Sequence, residues 1–210
     1  MITSFQSAMP NYMVISTPTS VSADQLTQRF FSRRESIPPQ TDVLWRIERG
    51  IVRTFTWNEE GRLMTLGYWG PGDVVGHSLS RLNPYQIECS TSVEVSILLE
   101  ALWCQALDAI VSHIQQAEEL LSIVHRKPAS LRLWQFLIWL GEKFGRDVEQ
   151  GRLIELEVTQ QEMADAVNIT RVTVTRLLQQ FESEGMLRRH QRRLVLSSMN
   201  SKGMPMFTSM

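Results

Sequence analysis

Cysteine is nearly missing from this chain: Cys89 and Cys104 are the only two, and they do not form a C-x-x-C pair. A zinc or iron–sulfur centre held by cysteines alone is thereby excluded, and two free thiols in a reducing compartment are expected. Long apolar runs are missing too. None approaches the roughly 20 residues that span a bilayer, and the opening MITSFQSAMPNYM has neither a basic stretch nor a continuous apolar one. The expectation is a cytoplasmic chain with no membrane partner. Neither sign of charge prevails, since 21 Lys and Arg face 22 Asp and Glu. Such a balance argues nothing globally, because a nucleic-acid binder can confine its positive charge to one surface. Histidine is sparse, with four in the chain and only His77 before position 113.

What is present is enough for one or two globular domains: 210 residues, 43% of them hydrophobic. Residues 1–20 are polar and without periodicity, and a flexible tail is expected there. From about 30 to 100 the runs VLWRIERG, IVRTFTWNEEG, RLMTLGYWGPGD and VEVSILL are cut by Gly50, by Asn58 to Gly61 and by Gly70 to Asp73, which predicts an all-β sandwich or roll. Between about 105 and 127 no Pro or Gly intervenes, and Ile110, Ile114, Ala117, Leu121 and Val124 recur at alternating steps of four and three. This predicts a long helix with a coiled-coil seam for dimerisation, the alternative being packing back on the strands. Pro128 is expected to end it. LRLWQFLIWLGEKFG (131–145) carries too many apolar residues for one exposed face, so a buried helix of a second domain is predicted.

The stretch NITRVTVTRLL contains β-branched residues at Val172, Thr173, Val174 and Thr175, which by propensity alone suggests a strand. Its spacing says otherwise. Val174, Leu177, Leu178 and Phe181 fall at i, i+3, i+4 and i+7, the core stripe of a helix capped by Thr170. A shorter helix precedes it: Thr159 as N-cap, then QQEMADAV with Met163, Ala164 and Val167 inward, then Asn168 in a turn where its tolerance of the left-handed region is useful. A helix, a tight turn and a second helix make the helix-turn-helix unit. The outward face then presents Arg171, Val172, Thr175 and Arg176 as base-reading candidates, offering guanidinium forks for guanine, a hydroxyl for either partner and methyl groups for thymine. Thr159, Thr170, Thr173 and Gln179 are expected to touch the DNA backbone. After Gly185, MLRRHQRRLVLS reads as a β-hairpin wing with Arg188, Arg189, Arg192 and Arg193 suited to phosphates. Residues 160–196 hold six arginines against four acidic residues, a local net of +2.

Taken together, residues 25 to 197 resemble the Crp-Fnr transcription regulators. VTQQEMADAVNITRVTVTRLLQQFESEGML fits that family's DNA-binding signature without a gap, and GYWGPGDVVG matches its β-roll turn more loosely. Within the family, TRVTVTRLL is most similar to the cyanobacterial global nitrogen-control regulator, which implies GTA and TAC half-sites in a palindrome. The resemblance implies an α+β chain divided into an N-terminal β-roll (jelly-roll, cyclic-nucleotide-binding-domain-like; 21–104), a dimerisation helix (105–128) and a C-terminal winged helix-turn-helix (129–198), with a second flexible tail at 199–210. It also implies a homodimeric, sequence-specific DNA-binding activator or repressor whose partners are double-stranded DNA, a second copy and RNA polymerase. No cofactor or catalytic residue is expected.

The effector side departs from the family pattern. Where cyclic-nucleotide binders have a Gly-Glu pair, Gly76 is followed by His77, and near the expected Arg-Ser pair stand Glu88 and Cys89. A carboxylate beside a cyclic phosphate repels it, which argues against cAMP or cGMP. The 2-oxoglutarate of the nitrogen regulator would need an arginine cradle, for which Arg53, Arg126 and Lys127 are candidates that no motif places. His77, Cys89, Cys104 and His113 give no recognisable haem or metal ligand set, so core residues are the expectation. An enzyme of cupin type would need clustered His and Glu ligands on the strands, which one histidine before position 113 does not provide. A protein-interaction module of the same fold would show a degraded recognition face, whereas Arg171 and Arg176 are both in place.

Overall fold

Strands form where β-branched and aromatic residues alternate between the turn residues. The computed structural model describes residues 28–197, so the tails expected at 1–20 and 199–210 lie outside the described residues. Seven strands come first: β1 (Gln28–Phe31), β2 (Val43–Arg49), β3 (Val52–Trp57), β4 (Leu63–Trp69), β5 (Val74–Val75), β6 (Gln86–Cys89) and β7 (Val93–Leu99). They pair antiparallel in two sheets, β1-β7-β2-β5 and β4-β3-β6. Trp45, Ile47, Val52, Trp69 and Ile87 are buried together as the apolar filling. Asp73 shapes the Gly-Pro-Gly-Asp turn. Its carboxylate accepts from the Gly70 N–H at 2.8 Å, and Gly72 sits at φ +88°. Strands β2, β3, β4 and β7 match the four runs read from the sequence, whereas β1, β5 and β6 are too short to stand out by pattern.

A tight 3-10 stretch, Glu100–Ala106, leads into helix α1 (Leu107–Val124). The helix is shorter at both ends than the expected 105–127. His125 closes it, its N–H bonding to the Leu121 carbonyl at 3.2 Å and its ring Nδ1 lying 2.9 Å from the same oxygen. Pro128 does not end α1 but opens α2 (Ala129–Phe144), its carbonyl accepting from the N–H groups of Leu131 and Arg132. Leu133, Phe136, Leu137 and Leu140 make α2 the buried helix that its composition predicts. Gly145 belongs to the next strand instead, its backbone extended at φ -110° and ψ 161°, and a Cβ there would lie 2.2 Å from the Gly141 carbonyl oxygen.

The remaining elements are β8 (Gly145–Val148), β9 (Gly151–Ile154), α3 (Gln160–Val167), α4 (Arg171–Ser183), β10 (Leu187–His190) and β11 (Arg193–Leu196). The four strands form a third sheet in the order β10-β11-β9-β8. One apolar cluster joins α2, α3 and α4 to Tyr68 of β4 and to Leu120 and Ile123 of α1. Beside it, Lys143 of α2 pairs with Asp73 at 3.1 Å, bonds Gln116, and lies 4.9 Å from the Trp69 ring and 5.5 Å from that of Trp139. Burial pulls its pKa below the usual lysine range, and the Asp73 carboxylate opposes that shift.

Candidate nucleic-acid interface

Local chemistry starts both helices of the helix-turn-helix. The Thr159 hydroxyl accepts from the Glu162 N–H at 3.2 Å while the Glu162 carboxylate accepts from the Thr159 N–H at 2.6 Å, a reciprocal capping box. We expect Thr159→Ala to lower the unfolding free energy by about 1 kcal/mol in urea titration, since one of these bonds disappears and the other loses its geometry. Asn168 then turns the chain at φ 52°, ψ 56°, the left-handed conformation anticipated for it. Thr170 caps α4, accepting from the Thr173 N–H at 3.2 Å. Val174, Leu177, Leu178 and Phe181 are buried, so the β-branched run is helical and its inner stripe is the one that spacing predicts.

Arg171, Val172, Arg176 and Gln179 of α4 are exposed. Val172 is 78% exposed, unusual for a valine without a partner. Thr175 departs from the reading of the sequence. It is half-buried, and its hydroxyl lies 2.6 Å from Gln160 Oε1 and 3.0 Å from the Arg171 carbonyl oxygen, which ties α4 to α3. Thr173 is also half-buried, 2.8 Å from the Thr170 hydroxyl. On the wing, β10 and β11 join through Gln191 at φ 56°. Arg189 is engaged by Glu182 at 3.2 Å. Arg188, Arg192 and Arg193 have no ion pair among the described residues.

The seam residues of α1 divide. Ile114 and Leu121 are 54% and 58% exposed. Ile110 instead packs on Leu44, Val74, Leu98 and Ala106, and Ala117 on the filling between the two sheets. Val124 is half-buried. The exposed stripe runs through Leu107, Val111, Ile114 and Leu121. It keeps the heptad steps but is rotated from the predicted seam, because the strands already occupy the side that Ile110 and Ala117 face.

A pocket of about 410 Å³ opens between the strands, α1 and α3. Its walls include Leu66, Leu79, Tyr85, His113, Ala117 and Ala166, with no arginine or lysine among the lining residues. His113 stacks on Trp69 at 3.8 Å, and its Nδ1 lies 3.0 Å from the Val74 carbonyl oxygen. A carbonyl oxygen can only accept, so Nδ1 is the donor, and burial holds the ring's pKa below the usual imidazole range. None of the three cationic candidates for an anion cradle lines this pocket. Arg126 and Lys127 are exposed beyond α1, and Arg53 is engaged elsewhere. His77 bonds the Tyr85 carbonyl, Cys104 is exposed, and burial pushes the Cys89 thiol up to about 12. Among the described residues no group of three His, Cys, Asp or Glu side chains is placed to hold a metal ion, and no helix is long and apolar enough to cross a membrane.

Sequence reasoning missed the interdomain role of Arg53. The guanidinium reaches from β3 to Asp165 at 3.3 Å and Glu162 at 3.7 Å, both on α3. No local signal marks this pairing, whose partners lie far apart in the chain.

Comparison with known proteins agrees with this geometry. Residues 131–201 match the Crp-like helix-turn-helix domain. Regulatory protein CysR of Synechococcus elongatus is 38% identical over 182 residues, 85% of this chain and 88% of that one. The global nitrogen regulator of a Nostoc species is 26% identical over 147 residues, 70% of this chain and 61% of that one. A CRP-family transcriptional regulator from Thermus thermophilus shares the fold with a TM-score of 0.70 at 24% identity, over 81% of this chain and 92% of its own. With a helix-turn-helix of this kind following the two β-sheets and α1, and a relative so similar along nearly the whole chain, the protein belongs to the Crp-Fnr family of transcription regulators.

Proposed function

We propose that the protein acts as a homodimer that reads a palindromic DNA site through α4, with GTA- and TAC-like half-sites. The observation that carries this reading is the open outer face of α4, where Arg171, Val172 and Arg176 are exposed beside the arginine-bearing wing. Base reading falls to those three side chains, and Thr175 keeps α3 and α4 together. Thr159, Thr170, Thr173 and Gln179 approach the phosphates with Arg188, Arg192 and Arg193. RNA polymerase is the proposed partner in regulation. Selection of bound duplexes from a random library with the purified protein, with and without a metabolite extract, tests the reading. Inverted half-sites about one helical turn apart should be enriched. A library that stays random under both conditions would overturn it.

The wing supplies a quantitative check. Alanine at Arg188 or Arg192 should weaken specific and non-specific binding alike and reduce the steepness of log K against log salt by roughly 1 for each phosphate left unneutralised in each half-site. Arg189→Ala should change the slope less, because that guanidinium is already held by Glu182. A change in which bases are preferred would mean that the wing reads sequence.

For the effector, we propose a small, mainly apolar ligand without net negative charge in the pocket beneath α1. The pocket walls are mainly apolar, with the Asp165 carboxylate and no arginine or lysine among them, so neither a cyclic phosphate nor 2-oxoglutarate would find a counter-charge there. In the selection above, the effector should then partition into the neutral organic fraction of the extract.

A further inference from the structure

Arg53 stands in the middle of β3 with 4% of its surface exposed, a position where a guanidinium needs full compensation. Its Nε donates to the Thr65 hydroxyl at 3.1 Å and its Nη2 to Asp165 at 3.3 Å, with Glu162 3.7 Å from Nη1. The guanidinium also lies 4.9 Å from the Phe55 ring centre. Both carboxylates have second duties on α3. Glu162 holds the Thr159 N–H in the capping box, and Asp165 accepts from Gln161 Nε2 at 2.8 Å. The helix so gripped is bonded to α4 through Gln160 and Thr175. Helix α3 is therefore held on one side by a β-roll strand through Glu162 and Asp165, and bonded on the other to α4 through Gln160.

We infer that Arg53 is a positioning residue for DNA recognition: by gripping α3 at Glu162 and Asp165, it fixes the angle of the helix-turn-helix on the β-roll. In a dimer that angle sets the separation of the two α4 helices, so Arg53 governs which half-site spacing is accepted. The outer face of α4 is open while the grip is closed, so the gripped arrangement leaves that face free to meet DNA. A fork that meets two carboxylates resists rotation as well as separation, which an ammonium would not do. The inference rests on the DNA-binding reading above.

The test compares the wild type with Arg53→Gln, Asp165→Asn and the double variant on three duplexes: the selected palindrome, the same palindrome with its spacer lengthened by a single base pair, and one half-site. The added pair moves a half-site by about 3.4 Å along the axis. The wild type should reject the lengthened site, and Arg53→Gln should lose about tenfold of that discrimination while binding the single half-site as well as before. The double variant should lose no more than Arg53→Gln alone, since the two side chains share one ion pair. Should Arg53→Gln fail to fold, Arg53→Lys keeps the buried charge, removes the fork and should lose discrimination in the same direction. Unchanged discrimination in a folded variant, or an equal loss on all three duplexes, would mark Arg53 as merely structural. Tighter binding by the variants would mark the grip as a restraint against DNA, which equally overturns the inference. A wild type that selects no duplex at all would instead defeat the DNA-binding reading, and the inference with it.

Discussion

Ile114→Glu and Leu121→Glu should each yield a folded monomer whose affinity for the palindrome falls by about two to four orders of magnitude. These two side chains lie on the exposed stripe of α1, so the substitution removes little that the monomer itself buries. In a parallel dimer the same positions from both copies meet near the axis, and two carboxylates there would have to be desolvated side by side. Each monomer would keep its α4 and lose the avidity that comes from holding two half-sites at once. Ile114 is the cleaner position, because Leu121 also lines the pocket. Ile110→Glu serves as the contrast: it would bury a charge against Leu44 and Val74 and should lower the melting temperature instead. Sedimentation at several protein concentrations distinguishes these outcomes, and a folded Ile114→Glu protein that stays dimeric would move the interface away from this stripe.

Val172→Glu should change the preferred base pair at one position of each half-site. Valine has no hydrogen-bonding group, and its methyl groups suit the C5-methyl of thymine, so the pair beneath it is expected to be A·T. Glutamate accepts from the cytosine amino group, so the substitution should move preference at that pair toward G·C by about 1 to 3 kcal/mol and leave neighbouring positions alone. The 78% exposure of Val172 means that the monomer should tolerate the change without loss of stability. Arg171 and Arg176 continue to fork onto guanine O6 and N7 in this scheme, so their alanine variants should relax other positions of the site. An unaltered preference with uniformly lower affinity would show that Val172 does not meet base edges.

The parts of this protein that were legible in its sequence are those fixed by neighbours in the chain. Thr159, Asn168 and Thr170 cap and turn the helices through bonds to residues three or four positions away, so residue type and spacing were sufficient. The exposed stripe of α1 was half legible. Ile110, Ala117 and Val124 form one apolar column and Leu107, Val111, Ile114 and Leu121 another, and periodicity cannot say which column the strands will cover. β8 and β9 escaped notice because GRDV and GRLI are short and partly charged, and they are completed only by pairing with each other and, through β9, with β11. The duties of Thr175 and Arg53 were out of reach for the same reason. Their partners, Gln160 and Asp165, lie 15 and 112 residues away and are brought close only by the finished fold.

The apolar cluster that joins Tyr68, Leu120 and Ile123 to α2, α3 and α4 also bears on how such a protein can change over generations. A break at Pro128 looks natural along the chain, yet it would strand Tyr68 in one parent and its partner Phe136 in the other. Gly70 carries the same dependence, since a Cβ there would come within 2.9 Å of the Phe144 ring. Recombination that traded one N-terminal half for another at that break would inherit a cavity or a clash, each costing a few kcal/mol of a margin that is itself small. Descent should therefore keep the two halves travelling together, with new specificities arising by substitution on the open face of α4 more readily than by exchange of whole parts.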